Sequence, residues 1–573
     1  MHSPTYAGTR AYTAQVKPRI SHDKVRSSSR HARSHLPRRQ LDGGSLAALN
    51  GKCGAVQARR ERSLNNHHDR TKLLEKNSFV GGRAQSEFRD EAPGYRWDTG
   101  PSLLLFPDRY RDAFTALGAK MEDYIQIKRV EPAAYRAHYG DKTHFDLVYD
   151  IEKMRQQVEE LEEGAGGKFI QWLGKARASL DLGVKAFIEK DSQSALDFVN
   201  LARVGPLALA VNPLELLLSQ FWQMSQYFKN EKLKALFSFQ ELYVGLTPYN
   251  APGVFSLLAA TELTDGVWYP IGGFQKVRDA FLSLAESNGV NLRMNTSVAK
   301  ILTEQGEDGK KVTGVKLADG EELLADLVVA NVDLPCVFDE MLDGEEMEQE
   351  AARLDKMDYS CSVIAFNWAI DGEIPELLHH NVFLGNDFKA SWNRATQPSD
   401  LDAPFQPNFY THNPTYTDPS AAPEGCNSVM VLLPIGNLQE QRDAAKKNKK
   451  EMPTREEMVN AGREAILRRF EEQGYGDIRS KIKHEFVYDP EEWRSMYNIK
   501  HGAVFGLSHG LLQLACFRPP TKTDIPLFPE TPTVQGLHYV GASTRPGNGV
   551  PLVLMGVEVT YQNIMAEAKV KSA

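Results

Sequence analysis

Residues 73 to 102, LLEKNSFVGGRAQSEFRDEAPGYRWDTGPS, constrain this chain more than any other stretch. An apolar pair ends on Glu75, a Gly81-Gly82-Arg83 turn follows, and an aromatic segment closes on Asp98-Thr99-Gly100-Pro101. In a doubly wound nucleotide-binding fold, a carboxylate ending the second strand accepts both ribose hydroxyls of an adenosine, and Glu75 stands at that place. Gly81 and Gly82 let backbone pass close to a bulky ligand, and Arg83 supplies a permanent cation for its phosphates. Taken singly, these are a solvated Glu and an ordinary glycine turn; their order and spacing carry the assignment.

Two later blocks fit the same reading. In TDGVWYPIGGFQKVRDAFLSLAESNGVNLRMNTSVAKILTE (264 to 304), Gly272 and Gly273 break the chain before a helix with Phe274, Val277, Phe281 and Leu284 on one face. Gly289 ends that helix, and alternating stretches through ELLADLVVAN form a strand meander. In GLHYVGASTRPGNGVPLVLMGVEVTYQNIM (536 to 565), a strand, a glycine-rich turn and a helix follow one another. Gly549 permits close backbone approach, Pro551 suits a first helical turn, and the free N–H groups there favour electron-rich oxygens.

GYRWDTGPSLLLFP directly after LLEKNSFVGGR resembles the flavin-dependent carotenoid desaturase and isomerase family, the phytoene-desaturase-like branch of the FAD-dependent amine oxidoreductases. The resemblance covers residues 73 to about 567. It implies an α/β fold: an FAD-binding, Rossmann-like two-dinucleotide-binding domain with an interleaved α+β substrate domain. Gly100 and Pro101 are then flavin contacts, Tyr269-Pro270-x-Gly272-Gly273 lies near the flavin, and Val298 offers its backbone to the adenine. Gly541 and Ala542 face the pyrophosphate, while Gly549, Val550 and Pro551 face the isoalloxazine and ribityl chain. Arg518 also matches the family pattern, with a structural ion pair and a substrate role both open. Arg545 and Asn548 depart from it, standing where relatives more often carry His and a small hydroxyl residue.

The family's first strand and Gly-x-Gly-x-x-Gly turn are not found before Glu75. The nearest candidate, DGGSLAALNGKCG, lacks a leading strand and lies about ten residues too far upstream. The domain is therefore expected to lack its first strand and phosphate turn. Residues 1–72 carry fifteen Lys or Arg against four Asp or Glu, a net of +11 that leaves −19 for the remainder. They show no apolar period and are expected to be a disordered basic leader or a non-native segment. As a leader the composition suits an organelle transit peptide, with a plastid the expected address. The FAD-binding domain is expected in three parts, 73–132, 264–335 and 501–573. A largely helical substrate or membrane-facing domain spans 133–263 and a second substrate part 336–500.

The acidic remainder argues against nucleic-acid binding. Five scattered cysteines form no CxxC pair, which argues against a disulfide scaffold or cysteine-rich zinc site. His379 and His380, being adjacent, cannot form the i, i+4 pair of a helical zinc site, and no metal is expected. GPLALAVNPLELLLSQFWQM (205 to 224) is the most apolar segment, suited to a buried helix, a lipid-sized tunnel or a peripheral membrane contact.

The chemistry implied is hydride transfer from an allylic C–H of a lipophilic polyene to flavin N5, with proton loss from the adjacent carbon. No sequence motif names the proton acceptor. A carotenoid cis-trans isomerase on the same scaffold, or an inactive relative that does not retain FAD, are the alternatives.

Overall fold

The computed structural model describes residues 55–59, 71–183, 218–307, 309–514, 517–519 and 532–570. Two sheets organise them. The first has five strands in the order Leu537–Tyr539, Leu327–Ala330, Ala55–Arg59, Thr71–Glu75, Asn291–Arg293. Thr71–Glu75 runs parallel to Asn291–Arg293 and Leu327–Ala330 parallel to Leu537–Tyr539, the arrangement of a doubly wound sheet.

Between these two pairs, where a dinucleotide unit places its parallel first strand, lies Ala55–Arg59. It runs antiparallel to both neighbours, with Ala55 opposite Glu75 and Val56 opposite Ala330. This corrects the expected extent of the leader: residues 55–59 and 71–72 belong to the sheet. The central place is filled, so the backbone groups of Thr71–Glu75 and Leu327–Ala330 find partners there, although the strand runs against the dinucleotide pattern. The candidate turn DGGSLAALNGKCG lies outside the described residues.

The expected meander forms a three-stranded antiparallel sheet of Val298–Gly306, Gly309–Leu317 and Glu322–Leu324. Helix Gln275–Ser287 buries Val277, Phe281 and Leu284. It meets helix Pro107–Ala116, whose Phe114 ring lies 4.9 Å from that of Phe281.

The second sheet has seven strands in the order Ile482–Tyr488, Ser362–Ile370, Asn427–Ile435, Phe409–His412, His380–Leu384, Ala133–Tyr139, His144–Val148. Ser362–Ile370, SVIAFNWAI, is buried at every position because both of its faces are covered. Ile364, Phe366, Trp368 and Ile370 share a core with Met458, Ile466 and Phe470 of helix Arg455–Glu472. On the opposite face Val363 and Ala365 pack with Trp493, and Ala369 with Tyr95 and Trp97. The period of two thus sorts one strand between two cores. The Trp97 indole N–H donates to Trp368 O at 3.1 Å, which fastens the aromatic segment to this sheet.

The helical stretch after Ile151 contains Ile151–Leu161, Ala165–Gly183, Gln220–Tyr227, Glu231–Leu236 and Ser256–Thr264. Of the apolar segment 205–224, residues 205–217 lie outside the described residues; Ser219 caps helix Gln220–Tyr227 by accepting from the Trp222 N–H.

Because Ala55–Arg59 is paired on both edges, Val56→Pro removes an N–H and forces a ring into the middle of the sheet. It is expected to destabilise the chain by about 3 kcal/mol or more. The check is the urea midpoint, which falls if this strand holds the sheet together and stays put if it does not.

Candidate active site

Strand Ala92–Asp98 delivers Asp98 to an enclosed point, 1% exposed. The Tyr269 hydroxyl donates to its Oδ2 at 2.7 Å, the Phe274 N–H to Oδ1 at 2.9 Å, and the Ser86 hydroxyl also donates to Oδ1. Burial pushes the Asp98 carboxyl up, against these donors and the nearby Arg96 guanidinium, which pull it down. Between Tyr269 and Phe274 lie Gly272 and Gly273. Gly273 has φ +84°, and a Cβ there would collide with Ser86 Oγ and Asp98 Oδ1. The Gly272 N–H donates to Asp418 Oδ2 at 2.8 Å, and the same oxygen takes Arg96 Nη2 at 2.6 Å. Gly100 touches Arg83 so closely that a Cβ would strike the Arg83 carbonyl. The structure therefore brings Gly100 against Arg83, Gly81 against Arg278 of the helix that follows Gly273, and Ser86 and Asp98 against Gly273 itself.

Glu75 ends its strand buried, its Oε1 accepting the Asn77 N–H at 2.9 Å. Its carbonyl accepts the Thr296 N–H at 2.8 Å, so half-buried Val298 starts its strand at the same end of the sheet. Two strands over, just past Leu327–Ala330, Asp333 accepts the Ser543 hydroxyl and, at 3.0 Å, the Lys500 N–H. Burial raises its pKa while the Arg83 and Arg518 charges lower it, which links Arg83 to the turn at Gly541 and Ala542. Arg518 is fully buried and donates to the carbonyls of Ser508 at 2.9 Å, of Thr544 and Leu507 at 3.1 Å, and of Gln513 and Ala542. It clamps the turn from behind. Gly541 abuts Asn331, whose side-chain amide donates to Val540 O at 2.9 Å.

Helix Val550–Val570 opens with Pro551 in its first turn, and at Gly549 (φ +99°) nothing among the described residues lies within 4 Å of where a Cβ would stand. A bare glycine before a helix N-terminus, with open space in front, suits electron-rich ring oxygens or an anion. With a buried carboxylate at the nucleotide end of the sheet, these residues fit a flavin.

The wall facing this cradle holds a group that the sequence did not reveal. His380 pairs in register with His412 of the neighbouring strand, which brings a third imidazole to His379 and His380. The three are fully buried, with ligand atoms all within 4.8 Å of one another. His379 Nε2 and His412 Nε2 are 3.1 Å apart, and His380 Nδ1 is 2.7 Å from the Tyr410 hydroxyl, itself 2.8 Å from Ser102 Oγ. The Tyr269 ring stands edge-on to His379 at 4.7 Å. Burial holds all three imidazoles well below their usual pKa, and Arg96 acts in the same direction on His412. A dication there would be enclosed with no carboxylate in the cluster and the Arg96 guanidinium acting against it. The trio is joined by the His379–His412 and His380–Tyr410 hydrogen bonds, while His379 Nδ1, His380 Nε2 and His412 Nδ1 have no partner among the described residues.

Residues 62–551 match the family described as flavin containing amine oxidoreductase. Phytoene desaturase of Neurospora crassa is 34% identical over 501 residues, 86% of this chain and 80% of that protein. The chain belongs to the flavin-containing amine oxidoreductases, in their carotenoid desaturase branch. Other relatives of this amine oxidoreductase are phytoene desaturase of Cercospora nicotianae (32%; 86% of this chain, 85% of that one) and the zeta-carotene-forming phytoene desaturase of Myxococcus xanthus (30%; 87% and 89%). An oxidoreductase from Methanosarcina mazei has the same fold, with a TM-score of 0.53, 17% identity and coverage of 85% of this chain and 93% of that one. So does a redesigned putrescine oxidase, at 0.52, 13%, 86% and 93%. The glycine turns of this amine oxidoreductase were visible in its sequence, whereas Ser86, Asp98, Asp333, Asp418 and His412, which hold them and face them, were not.

Asp98→Ala leaves three buried donors without their acceptor. It is expected to cost about 3 kcal/mol or more of stability and to lower flavin retention at least tenfold. Urea unfolding and flavin absorbance after gel filtration read the two effects.

Stability is also expected to fall below neutral pH. His379, His380 and His412 have folded pKa values well below 6.5, and burial brings His138 down to about 3. Below pH 6.5 the unfolded chain binds protons that the folded chain refuses, so stability drops as pH falls. Each imidazole contributes up to about 1.4 kcal/mol per pH unit, and nothing above about pH 7.5. Thermal midpoints at pH 7.5, 6.5 and 5.5 test this, and His412→Gln is expected to make the slope shallower.

Proposed function

We propose that this protein is an FAD-dependent carotenoid desaturase of the phytoene desaturase type. The observation that carries this reading is the junction of Gly100 with Arg83 and of Asp98 with Tyr269 and Gly273, with the Arg83 charge acting on Asp333 behind the Gly541 turn. It occurs in a chain 30–34% identical to proteins named as phytoene desaturases. FAD, rather than a smaller flavin, is favoured because Glu75 and Val298 supply a nucleotide end distinct from the ring-facing start of helix Val550–Val570.

A bound flavin would supply the acceptor for a hydride taken from an allylic carbon. The protein's share is position. Gly549, Val550 and Pro551 would hold the ring, and Gly100, Pro101, Gly272 and Gly273 would allow backbone to pass close to it. The Tyr269, Tyr410 and His379 side chains close the facing wall. A polyene offers almost no polar handle, so an apolar wall must align it, and positioning is the larger part of the rate enhancement. Tyr135, Phe239, Phe237 and Phe228 belong to the apolar core beside Val550.

A substrate dissolved in lipid also favours peripheral contact with a membrane surface. Exposed Ile170, Leu218 and Trp222 lie on or beside helices Ala165–Gly183 and Gln220–Tyr227. Among the described residues no helix is long and apolar enough to cross a membrane.

Expression in a host that accumulates phytoene tests the reading. Pigments with longer conjugation, each new double bond removing two hydrogens from the mass, are the expected outcome, together with purified protein that carries flavin absorbance. Altered geometry at constant mass would identify an isomerase instead. Colourless protein and unchanged phytoene would identify an inactive relative.

A further inference from the structure

The apolar wall beside the cradle encloses carboxyl groups that a hydrocarbon substrate gives no reason to bury. Glu262, in helix Ser256–Thr264, and Glu241, in the turn Phe239–Tyr243, are both 0% exposed. An unpaired carboxyl in such surroundings is costly, so each calls for a cause. The two keep different company. Neither oxygen of Glu241 has a hydrogen-bond partner among the described residues. Glu262 Oε2 accepts from Gln240 Nε2 at 3.0 Å, and the Tyr243 and Tyr135 side chains favour its ionised form. Glu262 Oε1 and both tyrosine hydroxyls have no partner within hydrogen-bonding distance among the described residues. Glu262 alone has both support for a negative charge and a free oxygen lone pair.

Its place in the fold is as specific as its chemistry. The Asn548 side-chain amide donates to Tyr243 O at 3.0 Å, tying the Tyr243 turn to the residue before Gly549. On the other side the Tyr135 ring lies 5.3 Å from His380, which reaches Tyr410 and, through it, Ser102. Ser102 follows Gly100 and Pro101. The seam Glu262, Tyr243, Tyr135, His380, Tyr410 is therefore strung between two stretches of the flavin cradle that lie far apart in the chain. Around it Phe239, Ala259 and Leu263 share the apolar core against which Val550 packs.

We propose that Glu262 is the proton acceptor of the desaturation. The assignment rests on the desaturase reading above. One carbon loses hydrogen with both bonding electrons, as hydride, to the oxidised flavin that is the oxidant. The C–H bond on the neighbouring carbon breaks the other way: its electron pair becomes the second bond of the new double bond and its proton becomes the hydrogen of the Glu262 carboxyl. Gln240 steadies the carboxylate before the transfer by its hydrogen bond to Oε2, and the nearby Tyr135 and Tyr243 side chains favour its ionised form. Burial lifts the Glu262 pKa to about 8, close to that of a base working near neutral pH. The ionised fraction, and with it the rate, rises as pH climbs through that value.

Glu262→Gln keeps the volume and the acceptor for Gln240 but removes the base. In the flavin-loaded protein it is expected to leave flavin content and thermal midpoint near wild type. It is expected to slow anaerobic flavin bleaching by phytoene-containing vesicles at least about 100-fold and to abolish the rising pH limb. A readout independent of turnover is the carboxylic C=O infrared band, which should titrate near pH 8 in wild type and be missing from E262Q. Glu262→Asp should recover part of the rate, with the pH limb displaced. If wild type converts phytoene and E262Q bleaches within about threefold of it, Glu262 is not the acceptor although the desaturase reading stands. If Glu241→Gln abolishes bleaching while E262Q does not, the wrong carboxyl has been assigned. Absence of the infrared band overturns the proposal whatever the turnover, whereas wild type that binds flavin but leaves phytoene unchanged overturns the desaturase reading. Should E262Q fail to fold, E262D decides: a rate and pH profile equal to wild type sink the assignment.

Discussion

Asp98 accepts hydrogen bonds from Ser86, Tyr269 and the Phe274 backbone, the last of them 176 residues away in the chain. A site built to receive a ring and phosphates must present bare backbone, so apolar side chains cannot hold its segments together at the point of contact. Buried carboxylates take that part. Asp98 fixes the Gly272-Gly273 loop, Asp418 takes the Gly272 N–H, and Asp333 holds Ser543 beside the last turn. Each is expensive to desolvate, and only several donors aimed at one group offset the cost. The arrangement is stiff because of that: displacing any one segment strands a buried charge or donor.

The rest of the fold leans on this junction. Trp97, next to Asp98, is bonded to Trp368 in the seven-stranded sheet, while Phe274, the donor on the other side, leads into helix Gln275–Ser287. The seven-stranded sheet and the helix that leads to strand Asn291–Arg293 of the five-stranded sheet therefore share one knot. Relative placement of ring and substrate wall is set there by hydrogen bonds of fixed length rather than by a sliding apolar contact.

What the sequence disclosed was what local pattern can disclose. Helix Gln275–Ser287 follows from its apolar spacing and the glycine turns from their composition. What escaped depends on partners remote in the chain. His379 and His380 looked inert because helical spacing was the wrong test; a strand pairing, His380 opposite His412, supplies the third ring. Asp98 looked like the end of an aromatic segment, since nothing nearby says that Tyr269 and Phe274 will close on it. Ala55–Arg59, AVQAR, is five residues of little apolar character inside a long basic stretch. Composition averaged over that stretch hides a strand whose stability comes wholly from the neighbours on either edge.

The same reasoning accounts for polar groups in a wall meant for a hydrocarbon. Neutral histidines and a carboxyl lower stability wherever they are enclosed, so an apolar residue of similar size would serve packing better. They are retained in a seam running from Asn548, beside Gly549, to Ser102, beside Gly100 and Pro101. A weak base in water is a poor match for an allylic C–H. Desolvation changes that: it raises the proton affinity of the carboxylate, strengthens the hydrogen bonds that steady it, and keeps competing water away. The cost of burying Glu262 and the capacity to take a proton from carbon therefore have a single physical origin, and removing one removes the other.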